Sequence, residues 1–303
     1  MFLKKIFFIL FVPLTLWAES EIKSFTEASL VISTMPEAKV SLKQTFVFPF
    51  LQGESFLTEN NNVKTDFILE LSPISLNVLT NAIWTPIAFF ELSAGSLLGS
   101  GWNVNLFGTD IYGIGIHKRG TDGKGEIEGK TFEGAFAKVN GGAALQFDLF
   151  AIFPGDWNHI LFRTYHEINY KAFSNAKNEE TWVFENENRE NRNGFNYYAS
   201  YVLGYQMPIR LNLLGLMAEM DLFLYNTPNR NDWGDNIGRW TFSLIGNVEI
   251  TPRFNTAIIV QTRTKRNYDD ESLFYQDRKI NGANPQRLEF YRVALILNFK
   301  IKG

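Results

Sequence analysis

The chain of 303 residues carries 29 basic and 32 acidic side chains, a formal net charge of −3, and no cysteine. Nucleic acid, which wants a basic face, is excluded as a partner class, and a fold without disulfides must be held by extensive pairing or packing. Its 28 Phe, 11 Tyr and 7 Trp accompany no internal run of about 18 apolar residues, so no membrane-spanning helix is expected after the N-terminus.

The first residues read MFLKKIFFILFVPLTLWAES. Lys4 and Lys5 precede an apolar run from Ile6 to Trp17, and Ala18 offers a small residue for cleavage. This is the layout of a secretory signal peptide and is too short for a membrane span; a retained N-terminal anchor is the alternative. Residues 1–18 are read as the signal and 19–303 as one domain. Removing the signal takes away two lysines and moves the net charge to −5.

Beyond the signal the sequence alternates. Ala38, Val40, Leu42, Phe46 and Phe48 share one face, and Lys39, Ser41, Lys43 and Thr45 the other. Val63, Phe67, Leu69 and Leu71 oppose Lys64, Asp66 and Glu70. Leu145, Phe147 and Leu149 oppose Gln146 and Asp148. In LFRTYHEINYKA, Phe162, Ile168 and Tyr170 oppose Arg163, Glu167, Asn169 and Lys171; parity turns His166 to the apolar side, near the loop end of its strand. Leu214, Leu216, Met220 and Leu222 oppose Glu219 and Asp221. Trp240, Phe242 and Leu244 oppose Thr241, Ser243, Asn247 and Glu249. Ile258 and Val260 oppose Gln261, Arg263 and Lys265, and Tyr291, Val293, Leu295, Leu297 and Phe299 oppose Arg292 and Asn298. Period-two patterning of this length predicts strands.

Twelve are expected, over 38–50, 63–71, 74–84, 87–95, 102–118, 131–153, 157–172, 195–207, 209–225, 240–250, 254–265 and 288–301. If Pro73 marks a bulge and not a turn, the count falls to ten. Short proline-bearing connections at 72–73, 154–156, 207–208 and 251–254 alternate with long polar ones at 52–62, 119–130, 173–194, 225–238 and 266–287. The prediction is an all-β, antiparallel, transmembrane up-and-down β-barrel in the cell outer membrane, apolar faces to lipid and charged faces to an aqueous interior. A soluble sandwich or lipocalin-like barrel would reverse the two faces.

From the signal to Phe299 the pattern resembles Gram-negative-type outer-membrane β-barrel proteins as a class. FPGDWNHILFRTYHEINYKAF together with LGYQMP also looks like uncharacterised outer-membrane proteins of spirochaetes. The class resemblance implies outer-membrane lipids as surroundings and insertion by the barrel assembly machinery. That machinery usually reads a last strand ending in an aromatic residue; here Lys300, Ile301, Lys302 and Gly303 follow Phe299. Outer-membrane lipases and deacylases carry a His two residues before a Ser, and the aspartyl-type proteases a DxH pair. HKR at 117, HIL at 159 and HEI at 166 supply neither.

No nucleophile–base pair can be placed, so no enzyme is expected. NRNDWGDN at 229–236 is rich in oxygen ligands, but Trp233 stands where a calcium loop needs a ligand, and the stretch reads as a polar loop tip. GIGIHKRG at 113–120 lacks the spacing of a nucleotide fingerprint. Neither metal nor cofactor is expected.

The interior remains. Its candidate acids are Asp148, Glu167, Glu219, Asp221 and Glu249, and its candidate bases Arg163, Lys171, Arg263, Lys265 and Arg292. Such charges either pair into a plug or select solutes by charge, and about twelve strands leave a narrow bore. The reading is a porin-like channel for small polar solutes, lined by Arg163, Glu167, Glu219, Asp221, Arg263 and Arg292. The alternative is a closed structural or adhesive barrel whose long surface loops bind a partner. Loop 173–194 carries five glutamates plus Trp182 and Phe184, and the two aromatics are read as folded over the mouth. Neither the solute nor the oligomeric state is written in the sequence.

Overall fold

The computed structural model describes residues 22–35, 37–106, 108–177, 179–185, 191–224 and 230–302; the expected signal peptide lies outside them. The strands in chain order are β1 (Lys23–Ser33), β2 (Glu37–Pro49), β3 (Asn62–Ser72), β4 (Ser75–Ile87), β5 (Phe90–Gly101), β6 (Asn103–Leu106), β7 (Thr109–Tyr112), β8 (Ile114–Arg119) and β9 (Gly125–Glu128). They continue with β10 (Phe136–Asp148), β11 (His159–Phe173), β12 (Trp182–Phe184), β13 (Gly194–Gln206), β14 (Leu211–Phe223), β15 (Arg239–Thr251), β16 (Phe254–Arg266) and β17 (Gln286–Lys302).

Twelve of these close an antiparallel barrel in the order β1-β17-β16-β15-β14-β13-β11-β10-β5-β4-β3-β2. The first and last strands pair through Leu30 opposite Leu297 and Ile32 opposite Leu295, which seals the sheet and leaves no edge. Register follows the alternation. Arg163 stands between Gln146 and Val202, and Phe162 between Phe147 and Leu203. Val40, Leu69, Leu98, Val139, Ile168, Leu216, Leu244 and Ile258 are all exposed on the outer wall. Glu167, Asn169, Asn196, Ser243 and Gln261 are buried on the other side. A soluble barrel would show the opposite arrangement, so the outward apolar belt rules that alternative out. No helix among the described residues is long and apolar enough to cross a membrane.

The count of twelve holds, but by two compensating errors. Residues 102–118 do not cross the wall. They form β6, β7 and β8 within the connection between β5 and β10, in two small sheets. Gly113 explains part of this: a Cβ there would run into the backbone of Ile74 and Trp102, so the chain folds tightly back over the β3–β4 turn. The strand not foreseen is β1. Its inward Phe25 and Val31 blur the alternation that Ala28, Leu30 and Ile32 would otherwise show. Pro73 sits in a turn closed by Ser72 Oγ and Ser75 Oγ at 2.7 Å, which excludes the ten-stranded variant. Residues 149–151 make a 3-10 turn capped by Asp148, not the end of a strand.

Antiparallel wiring sorts the connections between two ends. With the termini lie 50–61, 88–89, 149–158, 207–210 and 252–253; at the opposite end lie 34–36, 73–74, 102–135, 174–193, 224–238 and 267–285. The four longest connections thus share one end. The expected alternation fails twice: the 12-residue connection 50–61 joins the termini end, and the Pro73 turn joins the loop end. His166 is also placed differently. It points outward as parity requires, but it stands at the centre of β11. Its ring nitrogens are hydrogen-bonded to Tyr197 Oη at 2.6 Å and Thr164 Oγ1 at 2.9 Å, which lets an imidazole sit on an apolar wall.

Candidate functional site

The six expected lining residues all fall on the face opposite the apolar belt, and each has a partner there. Arg163 meets Glu91 at 3.0 Å. Glu167 takes Lys138 at 2.7 Å, Tyr165 Oη at 2.8 Å and Asn169 at 2.9 Å. Glu219 accepts from Tyr198 Oη at 2.6 Å. Asp221 pairs with Arg239 and lies 3.9 Å from Lys171. Arg263 meets Glu289 at 2.8 Å. Arg292 donates to Gln261 at 2.6 Å and pairs with Glu37. Two further pairs, Lys39 with Glu70 at 3.6 Å and Lys43 with Glu27 at 2.5 Å, complete the ring.

The direction of these pairs matters more than their number. Lys138–Glu167, Arg239–Asp221, Arg263–Glu289, Lys43–Glu27 and Lys39–Glu70 join adjacent strands. Arg163–Glu91, Lys171–Asp221 and Arg292–Glu37 skip one strand only. Charges therefore lie along the wall, and none of these pairs spans the bore. Arg263 and Arg292 sit on adjacent strands beside the closing seam, not across from each other.

One segment does cross. The connection between β11 and β13 turns inward, and β12 pairs with β8 inside the mouth. Glu185 then reaches Lys39 Nζ at 2.7 Å, Ser75 Oγ at 2.5 Å and Asn77 Nδ2 at 2.6 Å. Lys39 belongs to β2, five strands around the ring from β11 and six from β13, so the contact spans the diameter. Glu185 holds a left-handed φ of +51°. A non-glycine residue keeps such a backbone only when its surroundings fix it. Trp182, Val183 and Phe184 are buried, and Phe184 lies 4.5 Å from Phe136 in a cluster with Ile114 and Phe173. Gly99 makes the room: a Cβ there would stand 2.8 Å from the Phe184 ring. The two aromatics read as folded over the mouth thus sit inside it, and the segment is not a solvated loop.

Cavities lie below this crossing. Two cavities of about 270 and 410 Å³ adjoin at Ile83 and Glu91. The first touches Lys138, Arg163, Tyr165 and Glu167, and the second runs past Lys64 and Gln146 toward the connection 50–61.

Sequence reasoning missed Glu27, Glu37, Glu91, Lys138, Arg239 and Glu289 as lumen charges. Glu27 was lost with β1. Arg239 and Glu289 lie at strand ends, where alternation gives little warning. A β-bulge at 291 moves Phe290 and Leu288 outward and leaves the Tyr291 ring against Arg263 at 4.2 Å and Arg292 at 5.0 Å, not on the lipid face. Of the segment 229–236, residue 229 lies outside the described residues and 230–236 form no polar tip: Trp233 and Asp235 are buried, with Asp235 paired to Arg192 and Arg266. Asp148 holds His159 Nδ1 at 2.7 Å. Among the described residues no hydroxyl bonds the other nitrogen of that ring, so the pair lacks a nucleophile.

No protein-family model and no curated protein matches the chain. Two solved structures are similar over most of its length. One is a KdgM porin, 8% identical, covering 91% of this chain and 98% of that one with a TM-score of 0.38. The other is the β domain of the Bordetella autotransporter BrkA, 9% identical, covering 93% and 99% with a TM-score of 0.40. Function is therefore read from this chain's own geometry.

Proposed function

We propose that the barrel lies in an outer membrane, the apolar belt against lipid, and passively passes small polar solutes through its lumen. The observation that carries this is the direction of the ion pairs. A self-plugging network would bridge the bore, whereas these charges hug the wall and leave adjoining cavities beneath a single crossing segment. Arg163, Glu167, Glu219, Asp221, Arg263 and Arg292 line the path, and residues 182–185 form its constriction. The long connections face outward and the termini the periplasm, the usual arrangement for such barrels. Insertion then falls to the barrel assembly machinery.

A second reading, a closed barrel serving as scaffold or surface binder, draws on one feature, the packing of Trp182 and Phe184 into the mouth. Single-channel recording on purified, refolded protein separates the two. Discrete openings with a small, salt-dependent conductance are expected; a silent wild type gives the case to the closed barrel.

A further inference from the structure

At the loop end of the β13–β16 wall stands a group of side chains that continues the lumen's ion pairs. Arg192 precedes β13, Arg239 opens β15 and Arg266 closes β16. Asp235 accepts from Arg192 Nη1 and, at 3.2 Å, from Arg266 Nη1. The guanidinium carbons of Arg239 and Arg266 lie 4.8 and 5.4 Å from the centre of the Phe223 ring. That of Arg192 lies 4.3 Å from Trp233 and 4.8 Å from Tyr275. Arg230 donates to the Phe223 carbonyl, and Arg278 lies over Tyr268 and Tyr275. Lys171 shares Asp221 with Arg239.

Two of these arginines have unused donors. Arg192 has 1% of its side chain exposed. Its Nη1 is taken by Asp235, but Nε and Nη2 have no hydrogen-bond partner. These two N–H groups form one edge of the guanidinium plane, a parallel pair spaced for the two oxygens of a carboxylate or phosphate. Arg239, with 10% of its side chain exposed, likewise has Nε and Nη1 without partners. Buried donors left empty are unfavourable in low dielectric. An oxyanion would fill them.

We propose that the loop end holds an oxyanion site, in which the carboxylate of a small polar solute docks on the Nε/Nη2 edge of Arg192 with Arg239 supplying the second positive charge. That the ligand is a solute in transit rests on the channel reading; the site itself does not. Aromatic faces at Phe223 and Trp233 restrict how the guanidinium groups turn, so the edge is held ready for a planar acceptor.

The test is a titration of the full refolded barrel with sodium gluconate at constant ionic strength, followed by tryptophan emission, since the Trp233 ring lies against Arg192. A saturable change is expected with gluconate and none with sorbitol. Arg192→Lys keeps the charge and loses the fork, so the apparent affinity should fall at least about tenfold. Arg239→Gln, a more exposed position, guards against misfolding of the first variant and should weaken binding severalfold; heat-modifiable gel mobility confirms that each barrel is folded. A folded wild type that responds saturably to neither gluconate nor inorganic phosphate overturns the site, as do variants that titrate like the wild type; a response to phosphate with none to gluconate overturns the carboxylate ligand. Conductance recorded on the same preparation keeps the two claims apart. A conducting barrel that binds neither anion sinks the site alone, and a silent barrel that binds gluconate sinks solute passage and leaves the site.

Discussion

Glu185 and Lys39 stand 2.7 Å apart although they belong to opposite sides of the ring, the first to the connection after β11 and the second to β2. Only 10% and 17% of their side chains are exposed. Glu185→Gln would keep the shape and remove the charge, and an interaction of this charge-assisted kind contributes about 1.5–3 kcal/mol. The crossing segment should detach more often. Single-channel conductance is expected to rise, while the barrel's heat-modifiable gel mobility stays the same because the wall pairs are untouched. Unchanged conductance would show that the segment does not govern the path.

Selectivity follows from Glu219 and Asp221. Glu219→Gln with Asp221→Asn removes two acids with little change in volume and leaves Arg239 and Lys171 without their carboxylate. Fixed charge inside a low-dielectric wall acts strongly on ions. The reversal potential in a salt gradient should move toward anion preference. The shift should shrink at 1 M salt, where the Debye length is about 3 Å. A silent wild type beside a conducting double mutant would mean that the charges had sealed the bore.

The fold was legible because a wall wet on one side and greasy on the other imposes period two on nearly every strand. Ile168 and Glu167 announce their faces by composition alone. Where an inward position carries an apolar residue, as Phe25 and Val31 do on β1, the signal cancels. The crossing segment was legible only as an oddity, Trp182 and Phe184 among glutamates. Its destination on Lys39, Ser75 and Asn77 depends on how the ring closes, and no local pattern encodes that. The arginine cluster is hidden for the same reason: Arg192, Arg239 and Arg266 lie far apart in sequence at three separate strand ends.

Orientation can be read with cysteines, since the native chain has none. Asp270 is exposed in the connection 267–285 at the loop end, and Asp156 is exposed in 149–158 at the termini end. On intact cells Asp270→Cys should react with an impermeant maleimide and Asp156→Cys should not. The reverse pattern would turn the barrel over.

Acid should loosen the crossing segment through Glu180. Burial raises its pKa, but the Lys177 amide and the Lys118 ammonium, 2.9 Å away, outweigh that and hold it below the ordinary 4.5. A carboxylate with a depressed folded value stabilises the docked state above its ordinary pKa. That contribution is lost as pH falls through the folded value. Protease cleavage within 174–193 should therefore increase as pH falls below 4.5, and Glu180→Gln should flatten the dependence.

His166 offers the sharpest test of the wall itself. An imidazole at mid-strand on the lipid side is tolerable because Tyr197 and Thr164 occupy its two nitrogens. His166→Leu would improve the apolar match but strand the Tyr197 hydroxyl in hydrocarbon, where no water replaces the lost partner. Measured side-chain hydrogen bonds in membranes average about 0.6 kcal/mol and reach about 1–2 kcal/mol, so the single variant should be slightly less stable to urea in lipid vesicles. Adding Tyr197→Phe removes the stranded group, and the double variant should regain the loss or exceed the wild type. In a soluble fold with water outside, His166→Leu would expose one more apolar group and leave Tyr197 hydrated, so Tyr197→Phe would rescue nothing. A double variant no more stable than His166→Leu would therefore count against lipid on that face.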